Sequence, residues 1–198
     1  MIPIEDTVAV LLCAGLSRRF GEDNKLLAPL REKPLVAHAA GLAASLPYAR
    51  RIAVVPAGDS ALRALLVGQG FVLIENPRPE AGRESSLRLG IEEALREGVR
   101  GVAILLGDMP CLDAAHLNAL ADAADERTAA VSVASSVRSP PLVLPAETAR
   151  RILADPATPA REALGDPAEV PAPPWMLADF DTRLDFERAL AQRESWPA

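Results

Sequence analysis

Apolar runs alternate along the chain with segments in which apolar residues recur at helical spacing. The runs cover 7–13, 51–56, 71–75, 101–106 and 129–135, with a weaker one at 141–144. The helical segments, rich in alanine and leucine, cover 34–45, 59–68, 85–97 and 113–124. A helix between two strands serves as the crossover connection that makes the strands parallel. The pattern therefore predicts an α/β fold: a mostly parallel sheet with helices on both faces.

One run shows no polar alternation at all. Residues 102–106 are Val-Ala-Ile-Leu-Leu, which is typical of a central strand covered on both faces. Pro34 is predicted in the first turn of the helix that follows it, where a missing N–H costs nothing.

The last quarter of the chain has a different composition. Six prolines between 155 and 175 predict irregular structure around one short helix, 160–164, that returns to the sheet. Only about 25 residues follow, too few for a second core, so we expect a single domain over 1–198. The segment 181–192 is predicted to be an amphipathic helix with Leu184, Phe186 and Leu190 as its apolar stripe.

Charge and composition exclude several classes of partner. The chain has 198 residues, a net charge of −6 and a pI near 5.0, which argues against nucleic acid or an anionic membrane. No apolar stretch approaches a membrane span, and residues 1–6 lack the features of a signal peptide. We therefore expect a cytoplasmic protein. Cys13 and Cys111 lack metal-ligand spacing and are interpreted as small buried residues at strand ends.

The segment 11–25 carries the strongest chemical pattern. An apolar run ends in small residues, and a loop with Gly15, Ser17, Arg18, Arg19 and Lys25 follows. Exposed backbone N–H groups together with three cations suit a polyphosphate. The segment is not a Walker P-loop, because Glu22 follows Gly21 and no Lys-Ser/Thr pair is present. It also lacks the Gly-x-Gly-x-x-Gly of dinucleotide-binding folds.

This segment resembles the signature Leu-x-Ala-Gly-x-Ser-x-Arg-Met-Gly-x-x-x-Lys of nucleotidyltransferases that load a nucleotide onto a small phosphorylated acceptor. Seven positions fill it in register, with Phe20 in place of the methionine: Leu12, Ala14, Gly15, Ser17, Arg19, Gly21 and Lys25.

A candidate metal ligand follows the central strand. Asp108, in Gly-Asp-Met-Pro, comes at the carboxyl end of that strand, where open α/β sheets bind ligands. Capping of the next helix is better assigned to Asp113. The four residues resemble the second motif of the same family, which implies that Asp108 holds Mg²⁺.

A second carboxylate is expected, because Mg²⁺ usually takes one or two from the protein. Asp179-Phe-Asp181-Thr182 resembles the late Asp-x-Asp-Thr element of the family. Asp179 and Asp181 point the same way in an extended segment. The resemblance implies Asp181 as the metal ligand with Asp179 in support; a helix cap is the alternative for Asp181.

Residues 82–90 resemble the family's Gly-Met-Ser-Ser-Ser-Leu-x-x-Gly, which closes over base and ribose. Ser85 and Ser86 match, whereas Arg83 and Glu84 do not. Ser86 is expected to contact the nucleotide, with an N-cap role for Ser85 or Ser86 as the alternative. Asn76 is also expected to face the nucleotide. The histidines, His38 and His116, are interpreted as surface residues rather than catalysts.

Taken over the whole chain, the resemblance is to MobA-like NTP transferases, specifically the molybdenum cofactor cytidylyltransferase branch. It implies a three-layer α/β/α Rossmann-like nucleotidyltransferase fold with a mixed, mostly parallel sheet. It also implies a Mg²⁺-dependent transfer of CMP from CTP, with release of pyrophosphate. The N–H groups of 14–17 and Arg19 would hold the β- and γ-phosphates, and Lys25 would bridge the α-phosphate and the acceptor phosphate. Arg19, Lys25 and Asp108 would be the catalytic residues.

The acceptor is expected to be a molybdopterin-type cofactor, with transient contact to a molybdoenzyme or its chaperone. Arg161 is assigned to acceptor binding, because 159–164 resembles the family's Gly-Ala-Arg-x-x-Leu. The family's loop with glycine and histidine before the sixth strand corresponds here to 137–142, which has no histidine. Guanylyl transfer, transfer to a sugar or alcohol phosphate, and a non-catalytic nucleotide-binding accessory protein remain alternatives.

Overall fold

The structure is a computed structural model that describes residues 1–15, 20, 24–96, 98–182 and 184–187. The strands in these ranges are β1 (Thr7–Leu12), β2 (Pro29–Leu30), β3 (Lys33–Pro34), β4 (Arg50–Pro56), β5 (Val72–Asn76), β6 (Gly101–Leu106), β7 (Ala130–Ala134), β8 (Val137–Pro145) and β9 (Ala168–Pro171). The helices are α1 (Leu35–Ser45), α2 (Ser60–Gly68), α3 (Arg83–Leu95), α4 (Ala114–Ala123), α5 (Ala146–Ala154) and α6 (Ala160–Ala163).

Seven strands form one twisted sheet in the order β5-β4-β1-β6-β8-β7-β9. β5, β4, β1 and β6 run parallel to one another, and β9 runs parallel to β7. β8 is antiparallel to both β6 and β7. This is the predicted Rossmann-like α/β fold with a mixed, mostly parallel sheet.

The two faces of the sheet carry separate hydrophobic clusters. One cluster packs α1, α2 and α4 against the sheet, and the other packs α3, α5 and α6. Every residue of β1 and β6 is buried, as the unbroken apolar run at 102–106 predicts for a strand covered on both sides. The loops after β1 and β6 therefore leave from the fully buried centre of the sheet. None of the helices in the described ranges is long and apolar enough to cross a membrane.

The predicted elements are confirmed to within about two residues for α1 to α4 and for most strands. Four elements are absent from the sequence-based prediction: the two-residue strands β2 and β3, helix α5 and strand β9. α5 is short and carries Glu147, Arg150 and Arg151, so only a narrow stripe including Ala149 and Ile152 is buried. β9 ends in Pro171 at the edge of the sheet, one of the places where a strand tolerates proline.

Three smaller predictions are corrected by the structure. Pro34 precedes α1 as its N-cap instead of lying in the first turn. Residues 137–142 belong to strand β8 and are not a loop. In the predicted C-terminal helix, 184–187 are helical and Phe186 is buried, but Leu184 is 49% exposed and so is not part of a buried stripe. Leu190 lies outside the described residues.

The interpretation of His116 as a surface residue is wrong. Its side chain is buried, and its Nε2 lies 2.8 Å from Ser132 Oγ. Because the Ser132 hydroxyl donates to the carbonyl oxygen of Pro141 at 2.6 Å, Ser132 Oγ accepts from His116. Nε2 therefore carries the proton of the neutral ring, and His116 is a structural link between α4, β7 and β8.

Acidification should destabilise the fold through this histidine. Burial lowers the pKa of His116 below its ordinary value of 6.5, although Asp113 nearby acts in the opposite direction. The unfolded chain then takes up a proton more readily than the folded one, so stability is full above about pH 6.5 and is lost as the pH falls below it. His116→Gln keeps a donor near Ser132 and should flatten the fall in urea midpoint between about pH 7.5 and about pH 5.5. An unchanged slope would contradict the assignment.

Candidate active site

A cavity of about 440 Å³ opens where the carboxyl ends of β1 and β6 meet. Ligands of open α/β sheets bind at this edge because loops diverge there and backbone groups are exposed. The structure brings seven of the sequence-predicted residues to its wall: Leu12, Ala14, Gly15, Lys25, Ser86, Asp108 and Asp181. The other described residues of the lining are Cys13, Leu26, Pro79, Glu80, Gly82, Arg83 and Leu106.

The first wall is the segment that leaves β1. Its start is fixed by two backbone hydrogen bonds to neighbouring strand ends, from Cys13 N to Val54 O at 2.8 Å and from Gly107 N to Leu12 O at 3.1 Å. Ala14 and Gly15 follow directly and line the cavity. Ser17 and Arg19, which the sequence assigns to phosphate binding, lie outside the described residues.

Lys25 is held at the cavity by a short capped turn. Asn24 caps the 3-10 helix Lys25–Leu27 by accepting from Leu26 N at 3.0 Å, and its amide donates to Asp59 at 2.5 Å. The Lys25 side chain is buried, and Nζ donates to Asp108 Oδ2 at 2.7 Å and to Asp181 Oδ1 at 2.5 Å. One ammonium therefore lies between two carboxylates that are far apart in sequence.

The pKa of Lys25 reflects this position. Burial alone would lower it, but the charge of Asp108 and the hydrogen bonds to Asp108 and Asp181 outweigh burial and raise the pKa above 10.5. The amine is thus a fixed positive charge rather than a base.

Asp108 owes its position to a close approach of backbone at Gly107. A Cβ on Gly107 would lie 2.9 Å from Cys13 Sγ and 3.3 Å from Val36 Cγ2, inside normal packing distances. Only glycine lets the end of β6 pack this tightly against the end of β1. Asp113 is confirmed as the cap of α4, because its side chain accepts from His116 N at 2.8 Å. Asp108 is consequently not needed as a cap.

Phe180 sets the direction in which the side chains of its neighbours, Asp179 and Asp181, point. Phe180 is buried and its N–H donates to Asp108 O at 3.1 Å. Its ring packs edge-on against Phe186 at 5.4 Å, and Phe20 lies 5.2 Å from Phe186 on another side. With Phe180 turned inward, the flanking aspartates share the opposite side of the extended segment.

Three carboxylates form a group that fits a divalent ion. One oxygen from each of Asp108, Asp179 and Asp181 lies within 4.8 Å of the others. Hard oxygen donors are the ligands that Mg²⁺ and Mn²⁺ favour. The alternative role of Asp181 as a helix cap is not needed, because Thr182 and Asp185 cap the following turn: Asp185 Oδ2 accepts from Thr182 N at 2.7 Å, and Asp185 N donates to Thr182 Oγ1 at 3.3 Å.

Ser86 reaches the cavity, and Asn76 supports it from behind. Asn76 is 1% exposed and does not line the cavity. Its amide donates to Ser85 Oγ and to Ser86 Oγ at 2.9 Å each, which fixes both hydroxyls. Gly82, at φ +89°, is the N-cap of α3, so neither serine has that role.

Sequence reasoning missed the part of the wall that follows β5. Pro79 and Glu80 line the cavity between β5 and α3, beside Gly82 and Arg83 of the segment 82–90 that the resemblance places over base and ribose. Their place after the carboxyl end of a strand was the available signal, because that edge of the sheet carries the ligand. Arg161 does not line this cavity; it lies on the rim of a second, adjoining one.

Neither cysteine is a candidate nucleophile. Cys13 and Cys111 are buried, and burial is the main cause that raises the pKa of both thiols, that of Cys111 to about 12. Both thiols are therefore protonated near neutral pH. The charged groups of the cavity suit polyphosphate chemistry instead.

Solved structures share this fold over nearly the whole chain. A nucleotidyl transferase from Methanothermobacter, Mth528, has a TM-score of 0.78 at 20% identity, covering 92% of this chain and 94% of that one. Rv0371c from Mycobacterium tuberculosis H37Rv, in a complex with manganese, has a TM-score of 0.72 at 20% identity, covering 94% of this chain and 98% of that one. Similarity at this level of identity shows the fold.

Sequence comparison shows the family. The bifunctional protein GlmU of Rhizorhabdus wittichii is 30% identical over 131 residues, which are 66% of this chain but only 28% of that relative. The model of the MobA-like NTP transferase domain matches residues 9–169, which is most of the chain and contains most of β1, Lys25 and Asp108. With this match and a shared nucleotidyltransferase fold, the chain belongs to the MobA-like NTP transferase family.

Proposed function

We propose that the protein transfers CMP from CTP to a phosphorylated acceptor, a molybdopterin-type cofactor in the first instance, with release of pyrophosphate. The observation that carries the proposal is the buried Lys25 ammonium, 2.7 Å from Asp108 and 2.5 Å from Asp181 in the wall of the cavity. A protein that only stores a nucleotide has no need of a lysine and acidic residues converging on one point. A non-catalytic accessory role is therefore disfavoured.

The reaction is a substitution at phosphorus. An oxygen of the acceptor phosphate forms a bond to the α-phosphorus of CTP, and the bond from that phosphorus to the bridging oxygen of the β-phosphate breaks. Pyrophosphate leaves with the electron pair, and the acceptor keeps CMP. Such chemistry needs alignment and neutralisation of charge more than covalent help from the protein.

The chain's own residues supply most of that help. The backbone at Ala14 and Gly15, with Ser17 and Arg19 from the same loop, is assigned to the β- and γ-phosphates. Lys25 is assigned to the α-phosphate and the incoming acceptor phosphate, whose repulsion its fixed charge reduces. Asp108 and Asp181 hold the amine in the wall of the cavity, at the point that we assign to the two phosphates.

The acidic group fits a divalent cation, and we assign it to Mg²⁺. Asp108 and Asp181 would be ligands, with Asp179 in support, and the cation would add positive charge at the α-phosphate. Rv0371c, a protein of the same fold, forms a complex with manganese, which supports the assignment of a divalent cation.

Two features of the cavity support cytosine over guanine. Ala14 is buried at the wall, and its methyl group narrows the space beside the base. The Ser86 hydroxyl accepts from Asn76, which leaves its own proton to donate to a ring acceptor such as those of cytosine. The pairing edge of guanine has N–H donors where that of cytosine has acceptors, so the Ser86 proton would face a donor, and a buried polar group without a partner weakens binding.

Competition between CTP and GTP tests the nucleotide assignment. With Mg²⁺ and a phosphorylated acceptor present, kcat/KM for CTP should exceed that for GTP by about tenfold to a hundredfold, since a methyl-sized difference supplies ~1–3 kcal/mol. Ala14→Gly should reduce this ratio, because loss of the methyl group widens the space beside the base. Equal values for the two nucleotides, or a preference for GTP, would move the protein to guanylyl transfer.

A further inference from the structure

A second cavity of about 240 Å³ adjoins the first, with Leu12, Arg83 and Leu106 lining both. Its floor is formed by Ile104 on β6 and by Leu142 and Leu144 on β8. Its roof is formed by Leu87 on α3, Ile152 on α5, Ala160 on α6 and Leu164 directly after α6. Most of the described lining is therefore apolar, and its polar members are Arg83, Glu84, Arg138, Ser139 and Arg161.

Hydrogen bonds of two polar side chains on α3, Glu84 and Arg88, hold the roof against α3. Glu84 Oε1 accepts from Ala160 N and from Arg88 Nη2, each at 2.9 Å. Arg88 Nη2 also donates to Thr158 O at 2.9 Å, and Arg88 Nη1 donates to Ile152 O. These bonds tie α5 and α6 to α3, so the cavity is formed in advance and does not depend on its ligand for its shape.

Three arginines lie around the cavity, and they differ in what they already bind. Arg138 is paired with Glu169 at 2.7 Å. Arg161 is 84% exposed and has Glu162 at 4.0 Å. Arg83 makes no ion pair or hydrogen bond with any described residue, and it alone of the three lines both cavities. A guanidinium so placed can take a phosphate group in its fork without giving up another partner.

We propose that the second cavity holds the body of the acceptor, that this acceptor is a phosphomonoester with an apolar body, and that Arg83 binds its phosphate. The inference rests on the proposed function and narrows its acceptor. The phosphate on Arg83 lies at the junction of the two cavities, beside the charged wall that carries Lys25 and Asp108. The aliphatic walls bury the organic part, which favours an apolar or ring-shaped body over a strongly hydrated one. Arg161, at the rim, contacts its outer end.

The binding of phenyl phosphate tests this assignment. Titration calorimetry is carried out with the α,β-methylene analogue of CTP and Mg²⁺ at saturation, and inorganic phosphate serves as the reference ligand. Phenyl phosphate should bind at least about tenfold more tightly than inorganic phosphate. Arg83→Ala should weaken both ligands by about tenfold or more. Arg96→Ala, at the opposite end of α3, is the matched control and should change neither affinity.

A substitution in the apolar wall should change the affinity for phenyl phosphate but not the affinity for inorganic phosphate. Leu164→Asn, at the half-buried edge of the roof, should reduce phenyl phosphate to the affinity of inorganic phosphate and leave inorganic phosphate unchanged. Leu164→Trp should exclude phenyl phosphate by filling the cavity. Equal affinities for the two ligands in the unmodified protein, or an Arg83→Ala variant that behaves as Arg96→Ala does, would overturn the proposal. Failure of the CTP analogue to bind would contradict the proposed function instead. The ratio of the affinities for phenyl phosphate and inorganic phosphate would still test the assignment of the second cavity.

Discussion

Asp108→Asn is expected to lower kcat by at least about a hundredfold, which corresponds to ~2.7 kcal/mol of barrier, while the protein still folds. The substitution keeps the size of the side chain and removes its charge. It takes away one of the three carboxylates that lie within 4.8 Å of one another, and also the partner at 2.7 Å that holds Lys25. Both losses fall on the point where the α-phosphate is expected to react.

The loss should appear in metal binding as well as in turnover. Titration with Mn²⁺ should show weaker binding by the Asp108→Asn variant than by the unmodified protein. Asp122→Asn, an exposed aspartate on α4, is the matched control and should leave both measurements unchanged. Asp181→Asn should have a smaller effect, because Asp179 lies close enough to take over part of its role. If Asp108→Asn retained more than about a tenth of the activity, ~1.4 kcal/mol, the assignment of Asp108 as a metal ligand would be wrong.

Lys25→Ala is expected to lower kcat by about a hundredfold to a thousandfold and to raise KM for CTP by much less. The ammonium is assigned to two phosphates that approach each other only as the reaction proceeds, so its contribution is largest in the transition state. Loss of a contact of that kind appears mainly in kcat. Steady-state kinetics with varied CTP at saturating acceptor separates the two constants.

The chain provides a matched control for this test. Lys33→Ala changes the only other lysine, which is exposed in β3, and should leave kcat and KM as they are. A Lys25→Ala variant that changed KM alone would mean that Lys25 binds the nucleotide before the reaction and contributes nothing further to the transition state. The melting temperature of each variant separates a catalytic loss, which leaves it unchanged, from a folding defect, which lowers it.

The sequence predicts the centre of the sheet well, because there burial on both faces leaves a distinct pattern. The unbroken run at 102–106 is sufficient to identify β6, and its fully buried state confirms the prediction. At the edge the pattern fails: β9 contains a proline and is half exposed, so it resembles a loop. α5 is missed for a related reason, since its charged residues obscure a narrow buried stripe. His116 is missed because a buried polar side chain depends on a partner, Ser132, that is distant in sequence.

The features of the candidate site also divide into those with a signal in the sequence and those without one. Asp108 and Lys25 are identified from motif spacing, and the pairing of β1 with β6 explains why they meet. That Lys25 bridges Asp108 and Asp181 is a three-dimensional fact with no signal in the sequence. The second cavity is likewise invisible beforehand. Its leucines and isoleucines come from several elements, and each resembles an ordinary core residue.

The most direct test of the central claim follows the α-phosphate of CTP. The protein is incubated with Mg²⁺, a molybdopterin-type acceptor and CTP labelled at the α-phosphorus, and the products are separated. The account predicts that the label moves to the acceptor, that one pyrophosphate is released for each labelled product, and that both events are lost in the Asp108→Asn variant. Release of orthophosphate with the label remaining in CDP, or pyrophosphate release with the label in free CMP, would contradict it.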